Sequence, residues 1–167
     1  QAPTLICLHG YLGGVYAFER RLWSVRRVLE AGWNVVLGVL PEHGLRKRPF
    51  VRPGFPDSDP RRAVEGFRQA IFELRSLVRY LRTDGTRAIG VTGMSLGGYC
   101  AALLSTVEPL DFVAPLIPLG SIPDFVRERG KLVGSPDEQQ AQYDGLVSLY
   151  GMVDPRRRPC LVPADRR

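Results

Sequence analysis

The stretch IGVTGMSLGGYCAALL, residues 89–104, decides how this chain is read. A β-branched apolar run ends at Gly93, then come Met94, Ser95, Leu96 and Gly97, and a second apolar run continues as a helix. A strand that becomes a helix within so few residues crowds its own backbone. Glycines two before and two after the serine remove the Cβ atoms that would collide. A serine at the tip of such a turn exposes its hydroxyl. The helix behind it aims unpaired N–H groups and a positive dipole end at the same point. The pattern G-x-S-x-G arises by chance in roughly one chain in twenty of this length, so the weight falls on the strand before it and the helix after it.

Outward from that turn the chain alternates. PTLICLHG (3–10) is an apolar strand ending at Gly10, and Phe18, Leu22, Val25 and Leu29 follow at the spacing of one helix that Gly32 closes. NVVLGVLPEHG (34–44) reads as a second strand stopped by Pro41. Residues 44–59, rich in Pro, Gly and Arg, read as a long surface loop of the kind that is usually functional or mobile. Asp59 then caps a helix with Pro60 in its first position, and Val64, Phe67, Ile71, Leu74, Val78 and Leu81 form its apolar stripe. The turn at 84–86 leads into RAIGVTG, a helix runs from Leu96 to about Thr106, and DFVAPLIPLGS (111–121) is a fourth strand whose Pro115 and Pro118 mark an edge or a short irregular strand. Wholly apolar strands alternating with helices specify an α/β fold with a doubly wound parallel sheet. Residues 121–152 are a candidate lid or helical insertion within this single domain, 1–167.

Composition narrows the function. The 44% hydrophobic and 24% charged fractions are those of an ordinary globular protein, and no apolar run approaches the roughly 18 residues of a membrane span. The chain opens QAPTLICLHG, without a basic-then-apolar leader, so no signal peptide is read there. Cys7, Cys100 and Cys160 have no metal-type spacing, and the first two sit in apolar runs; a reducing, cytoplasmic compartment is the expectation. The net charge of +6 comes from separated clusters, Arg26-Arg27, Arg46-Lys47-Arg48, Arg61-Arg62 and Arg156-Arg157-Arg158, with no interleaved aromatics. Such clusters read as solvated surface charge, so neither nucleic acid nor membrane is expected as a partner. No metal and no cofactor is called for, and the oligomeric state is unread.

The motifs LHGYLGG (8–14) and GMSLGGY (93–99), in that order on successive strand ends, resemble the α/β-hydrolase family from about Thr4 to Gly120. The resemblance implies a local strand order 2-1-3-4, which places the first and third strands at a topological switch point where open α/β sheets bind ligands. It implies a serine hydrolase with Ser95 as nucleophile and the backbone N–H groups of Tyr11 and Leu96 as the oxyanion hole. Gly10, Gly93 and Gly97 are the loop and elbow glycines. The substrate is expected to be a small molecule with an ester-like carbonyl.

The family's remaining partners follow the serine in the order acid, then histidine. Here His9 and His43, the only two histidines, both precede Ser95. His9 reads as a residue that orders its loop, and both histidines are candidate pocket residues. Asp124 stands where some relatives carry their acid but also reads as a helix-start residue, and Asp154 is too near the Arg/Pro-rich end to assign. The expectation is a sheet truncated at both ends, with base and acid beyond Arg167. The alternatives are a non-catalytic hydrolase-fold module that binds a partner and, more remotely, a nucleotide-binding domain using HGYLGG.

Overall fold

The computed structural model describes residues 2–47 and 54–161. Four parallel strands, β1 (Thr4–Leu8), β2 (Asn34–Gly38), β3 (Ile89–Met94) and β4 (Phe112–Leu116), form a sheet in the order β2-β1-β3-β4. The helices are α1 (Tyr16–Leu22), α2 (Val25–Glu30), α3 (Pro60–Thr83), α4 (Leu96–Ser105), α5 (Ile122–Glu128) and α6 (Pro136–Tyr150). The order 2-1-3-4 is the one the resemblance implies.

Register is what matters for function. Leu8 pairs with Gly93, so the residues that leave β1 emerge beside those that leave β3. On the other side Met94 pairs with Leu116, and the Ser95 N–H donates to the Leu116 carbonyl at 3.0 Å. Three strand ends therefore converge at one edge of the sheet.

Helix α3 forms as its pattern dictates. The Asp59 carboxylate accepts the Arg61 N–H, Pro60 sits where no N–H is needed, and Val64, Phe67, Leu74, Val78 and Leu81 are buried. That cap contributes about 1 kcal/mol, and each large apolar side chain roughly 1.5–3 kcal/mol. The stripe packs with Ile6, Leu8, Ile89, Val91, Tyr99 and Leu104 into one core.

Three expectations change. The single helix after β1 is two helices, broken at Trp23–Ser24, where Ser24 takes a left-handed φ of 47°. Its stripe is largely solvent-facing: Phe18, Leu22 and Leu29 are all exposed, so in this segment helical spacing did not mark a core face. Strand β2 stops at Gly38, ahead of Pro41, because the Leu40 N–H turns away to donate to the His9 ring. The strand 111–121 is only five residues long, Phe112–Leu116, containing Pro115 and ending before Pro118, and among the described residues it pairs with β3 alone. Residues 48–53 of the loop 44–59, including Arg48, and the terminal segment 162–167 lie outside the described residues; within the loop, Gly44–Arg46 form a 3₁₀ turn.

Candidate active site

Ser95 lies between β3 and α4 with φ 52° and ψ −109°, a conformation that non-glycine residues avoid. Such strain persists only where the surroundings impose it. Here close packing imposes it. A Cβ on Gly93 would collide with the Gly97 carbonyl group, and one on Gly97 would collide with the Leu8 carbonyl and lie 2.6 Å from that of His9. Without side chains at both positions, α4 drops against the end of β1. Gly98 repeats the device, its Cβ position lying 2.9 Å from the Gly93 carbonyl and 3.1 Å from that of Leu116.

The Ser95 side chain makes no capping hydrogen bond to α4, so its hydroxyl is not spent as an ordinary N-cap. Ser95 shares a cavity of about 810 Å³ with Tyr11, Leu96 and Pro56, with Ile117–Gly120 after β4, and with a polar end formed by Asp124, Glu128, Arg129 and Arg156. Gly10 completes the approach: a Cβ there would sit 3.8 Å from that of Ser95. Among the described residues, the Tyr11 and Leu96 N–H groups donate to no carbonyl. A second cleft, about 700 Å³ between the 41–42 turn and the start of α3, does not include Ser95.

The loop after β1 is held from three sides. His9 donates from Nδ1 to the Gly10 carbonyl at 2.8 Å, while its Nε2 accepts the Leu40 N–H at 3.0 Å. Both nitrogens are thus committed to the backbone, and the ring is neutral in this arrangement because Nε2 acts as an acceptor. Burial also holds its pKa below the ordinary value, against the Gly10 hydrogen bond and the Glu19 charge. Glu19, 3% exposed, accepts from the Gly14 N–H and from Trp23 Nε1, both at 3.0 Å. Gly14 can approach because it has φ 94° and no Cβ, which would lie 3.1 Å from His9 Nε2.

His43 is fully buried, donates from Nδ1 to the Pro41 carbonyl at 2.8 Å, and packs 4.8 Å from the His9 ring and 5.8 Å from the Tyr11 ring. Burial lowers its pKa to about 4. Neither histidine is on the cavity wall; both lie behind it, buttressing the loop that carries Tyr11. The candidate pocket placement of the pair therefore becomes a supporting one.

Asp124 does reach the cavity, but its two oxygens are occupied. One accepts the Tyr143 hydroxyl at 2.5 Å and the other accepts from Arg156 at 3.3 Å. These donors, Tyr143 foremost, then Ser121, hold its carboxyl below the usual range. Asp154 is buried beneath, paired to Arg156. Burial raises and Arg156 lowers its pKa, and the arginine wins. Cys7 and Cys100 offer no competing nucleophile, since burial pushes both thiols up to about 12. Among the described residues no three His, Cys, Asp or Glu side chains gather as a metal-ligand set, and no helix is long and apolar enough to cross a membrane.

Two site residues escaped the sequence reading. Glu19 carried no motif; its only trace is the four-residue spacing to Trp23 that lets the two meet on one helix face. Arg156 was read with its neighbours as surface charge, and nothing local separates it from Arg157 or Arg158.

The sequence profile of a family described as "Alpha/beta hydrolase domain containing 18" matches residues 63–123, which span α3, β3, the Ser95 turn and β4. An uncharacterized protein of Mycobacterium tuberculosis is 35% identical over 111 residues, 64% of this chain. The match spans about a quarter, 26%, of that relative's length. Among solved structures, acetyl xylan esterase 1 from Thermoanaerobacterium superposes with a TM-score of 0.62 at 18% identity, over 94% of this chain and 55% of that one. Est1E from Butyrivibrio proteoclasticus, solved with ferulic acid, gives 0.57 at 21% identity over 77% and 47%. TT1662 from Thermus thermophilus gives 0.57 at 26% identity over 92% and 64%. The chain has the α/β-hydrolase fold, and the match covers the central region of that fold.

Proposed function

From that fold we propose that the protein is a serine hydrolase of small ester-like substrates, with Ser95 as nucleophile. One observation carries the reading: a strained serine at a strand-to-helix turn, its hydroxyl unused as a cap, opens into a cavity beside two backbone N–H groups that are unspent among the described residues. The neighbours' names support an ester substrate, since acetyl xylan esterase is among them.

In this mechanism Ser95 Oγ attacks the carbonyl carbon as its proton passes to a base. The carbonyl π-electrons move onto oxygen, and the Tyr11 and Leu96 N–H groups receive the oxyanion. Removing one such donor typically costs a hundredfold or more in rate, about 3 kcal/mol. The tetrahedral carbon then re-forms its carbonyl and expels the alcohol, which takes the proton from the base. Water, deprotonated by the same base, attacks the acyl-enzyme, and the acid product leaves with Ser95 reprotonated.

The base is not His9, whose two nitrogens are tied to the backbone, nor His43, which lies behind the cavity wall. We assign it to a histidine outside these 167 residues. The relatives' greater length supports this assignment, the match covering 26% of the curated one.

The test is covalent labelling of the full-length protein with a fluorophosphonate, whose phosphoryl oxygen occupies the oxyanion position. Labelling at Ser95 that disappears in Ser95→Ala is the expected result. A Ser95→Ala protein that retains its rate on p-nitrophenyl acetate refutes the proposal. A full-length wild type that stays unlabelled favours the non-catalytic binding module instead.

A further inference from the structure

Arg156 differs from the solvated charges around it. Its Nε and one terminal nitrogen donate to the two oxygens of Asp154, at 3.0 and 2.9 Å. Its other terminal nitrogen donates to Asp124 at 3.3 Å. The Asp154 side chain is only 10% exposed, and it also accepts the Arg156 backbone N–H at 2.9 Å. Tyr143 fixes Asp124 in turn. A guanidinium has five N–H donors. Three are used here, and the two that remain belong to a side chain 53% exposed on the wall of the Ser95 cavity.

The rest of that wall gives the chemistry. Asp124, Phe125, Glu128 and Arg129 occupy one face at the i, i+1, i+4, i+5 positions that begin on α5, and all line the cavity. Glu128 has no hydrogen bond or ion pair among the described residues, and Arg129 lies over the Phe125 ring. The polar end thus presents two cations and two anions, and behind them Asp154 is shared between Arg156 and Arg157. An anionic group brought to Arg156 would meet a guanidinium whose charge Asp124 and Asp154 already match, and would gain little from it. A hydroxyl does not depend on that charge. Its lone pairs accept from Arg156 and its proton is offered to a carboxylate. Next to Ser95 the wall is apolar, formed by Leu96, Ile117, Pro118 and Leu119.

We propose that Arg156 is a substrate-binding residue that selects esters of neutral, hydroxylated alcohols over esters carrying an anion. This specificity rests on Ser95 being the nucleophile of the same cavity. Asp154 is then the positioning residue that aims the guanidinium.

Three acetates of three-carbon alcohols test it on the full-length protein: 1-acetylglycerol, propyl acetate and 3-acetoxypropanoate. The wild type should favour 1-acetylglycerol in kcat/KM. Arg156→Met should lower that value about tenfold, the size of one hydrogen bond to a charged donor, while changing propyl acetate less than twofold. Arg156→Lys keeps the charge and loses the fork, and should fall between the two. An equal loss on all three esters, no loss on 1-acetylglycerol, or a wild-type preference for 3-acetoxypropanoate overturns the assignment.

Calorimetric binding of 1-acetylglycerol in a Ser95→Ala background separates this proposal from the one it rests on. There Arg156→Met should weaken binding about tenfold, and unchanged binding overturns the role of Arg156 whatever Ser95 does. Turnover persisting in Ser95→Ala would refute the nucleophile alone.

Discussion

Replacing Gly97 with alanine tests the packing that creates the Ser95 turn. The added methyl would overlap the Leu8 carbonyl and lie 2.6 Å from the His9 carbonyl oxygen. Both obstacles are backbone, so no rotamer change relieves them, and α4 must move off the end of β1 by about 1 Å to restore ordinary contact. Overpacking a filled interior costs about 1–3 kcal/mol, and an obstacle that cannot rotate belongs at the upper end. Alanine recovers at most about 1 kcal/mol through helix propensity, and less so close to a helix start. The clash wins by about 2 kcal/mol. With a urea m-value of about 2 kcal/mol/M for a domain of this size, the unfolding midpoint should fall by about 1 M. Fluorophosphonate labelling of the folded fraction should slow as well, because the same shift carries Ser95 away from Tyr11. A Gly97→Ala protein with an unchanged midpoint would refute the close approach of α4 to β1 and, with it, the physical account of the strained serine.

Two further outcomes follow from the buried groups behind the cavity. Burial depresses His43 to about 4 and His9 below its ordinary value, while an unfolded imidazole titrates near 6.5. Between about pH 4 and 6.5 the unfolded chain therefore binds more protons. The stabilisation is complete above pH 6.5 and is lost progressively as pH falls through that window, on the order of 3 kcal/mol for His43. Chemical denaturation across pH 4–7 should show this slope, and His43→Gln should flatten it; an unaltered slope would show that His43 does not contribute. Glu19→Ala leaves the Gly14 N–H and Trp23 Nε1 without their acceptor, costing about 1–3 kcal/mol. It should also slow Ser95 labelling by loosening the loop that holds Tyr11, whereas full stability in urea would contradict the buried role of this carboxylate.

Much of the architecture was legible because its causes are local. The cap and apolar stripe of α3 lie within one helix, and Gly93 makes room for Gly97 only four residues away, although Gly97 itself makes room for the distant Leu8 carbonyl. Pro115 and the nearby Pro118 likewise marked a short strand, since a residue without an N–H cannot continue a ladder. The periodicity after β1 misled because spacing records only which residues share a helix face, not whether anything covers it. Phe18, Leu22 and Leu29 share that spacing and are exposed.

The site divides along the same boundary. By itself the sequence determined the serine, the glycines that let it project, and the absence of any histidine between it and Arg167. Only the tertiary structure decided what the other polar residues are for. His9 is held neutral because a strand elsewhere in the chain ends by turning the Leu40 N–H into its ring, and Arg156 enters the cavity because Asp124 and Asp154 are folded around it. Local sequence can specify a turn, because a turn is made of adjacent residues. It cannot specify the role of a charge, because that role is set by whichever distant groups share its few ångströms of space.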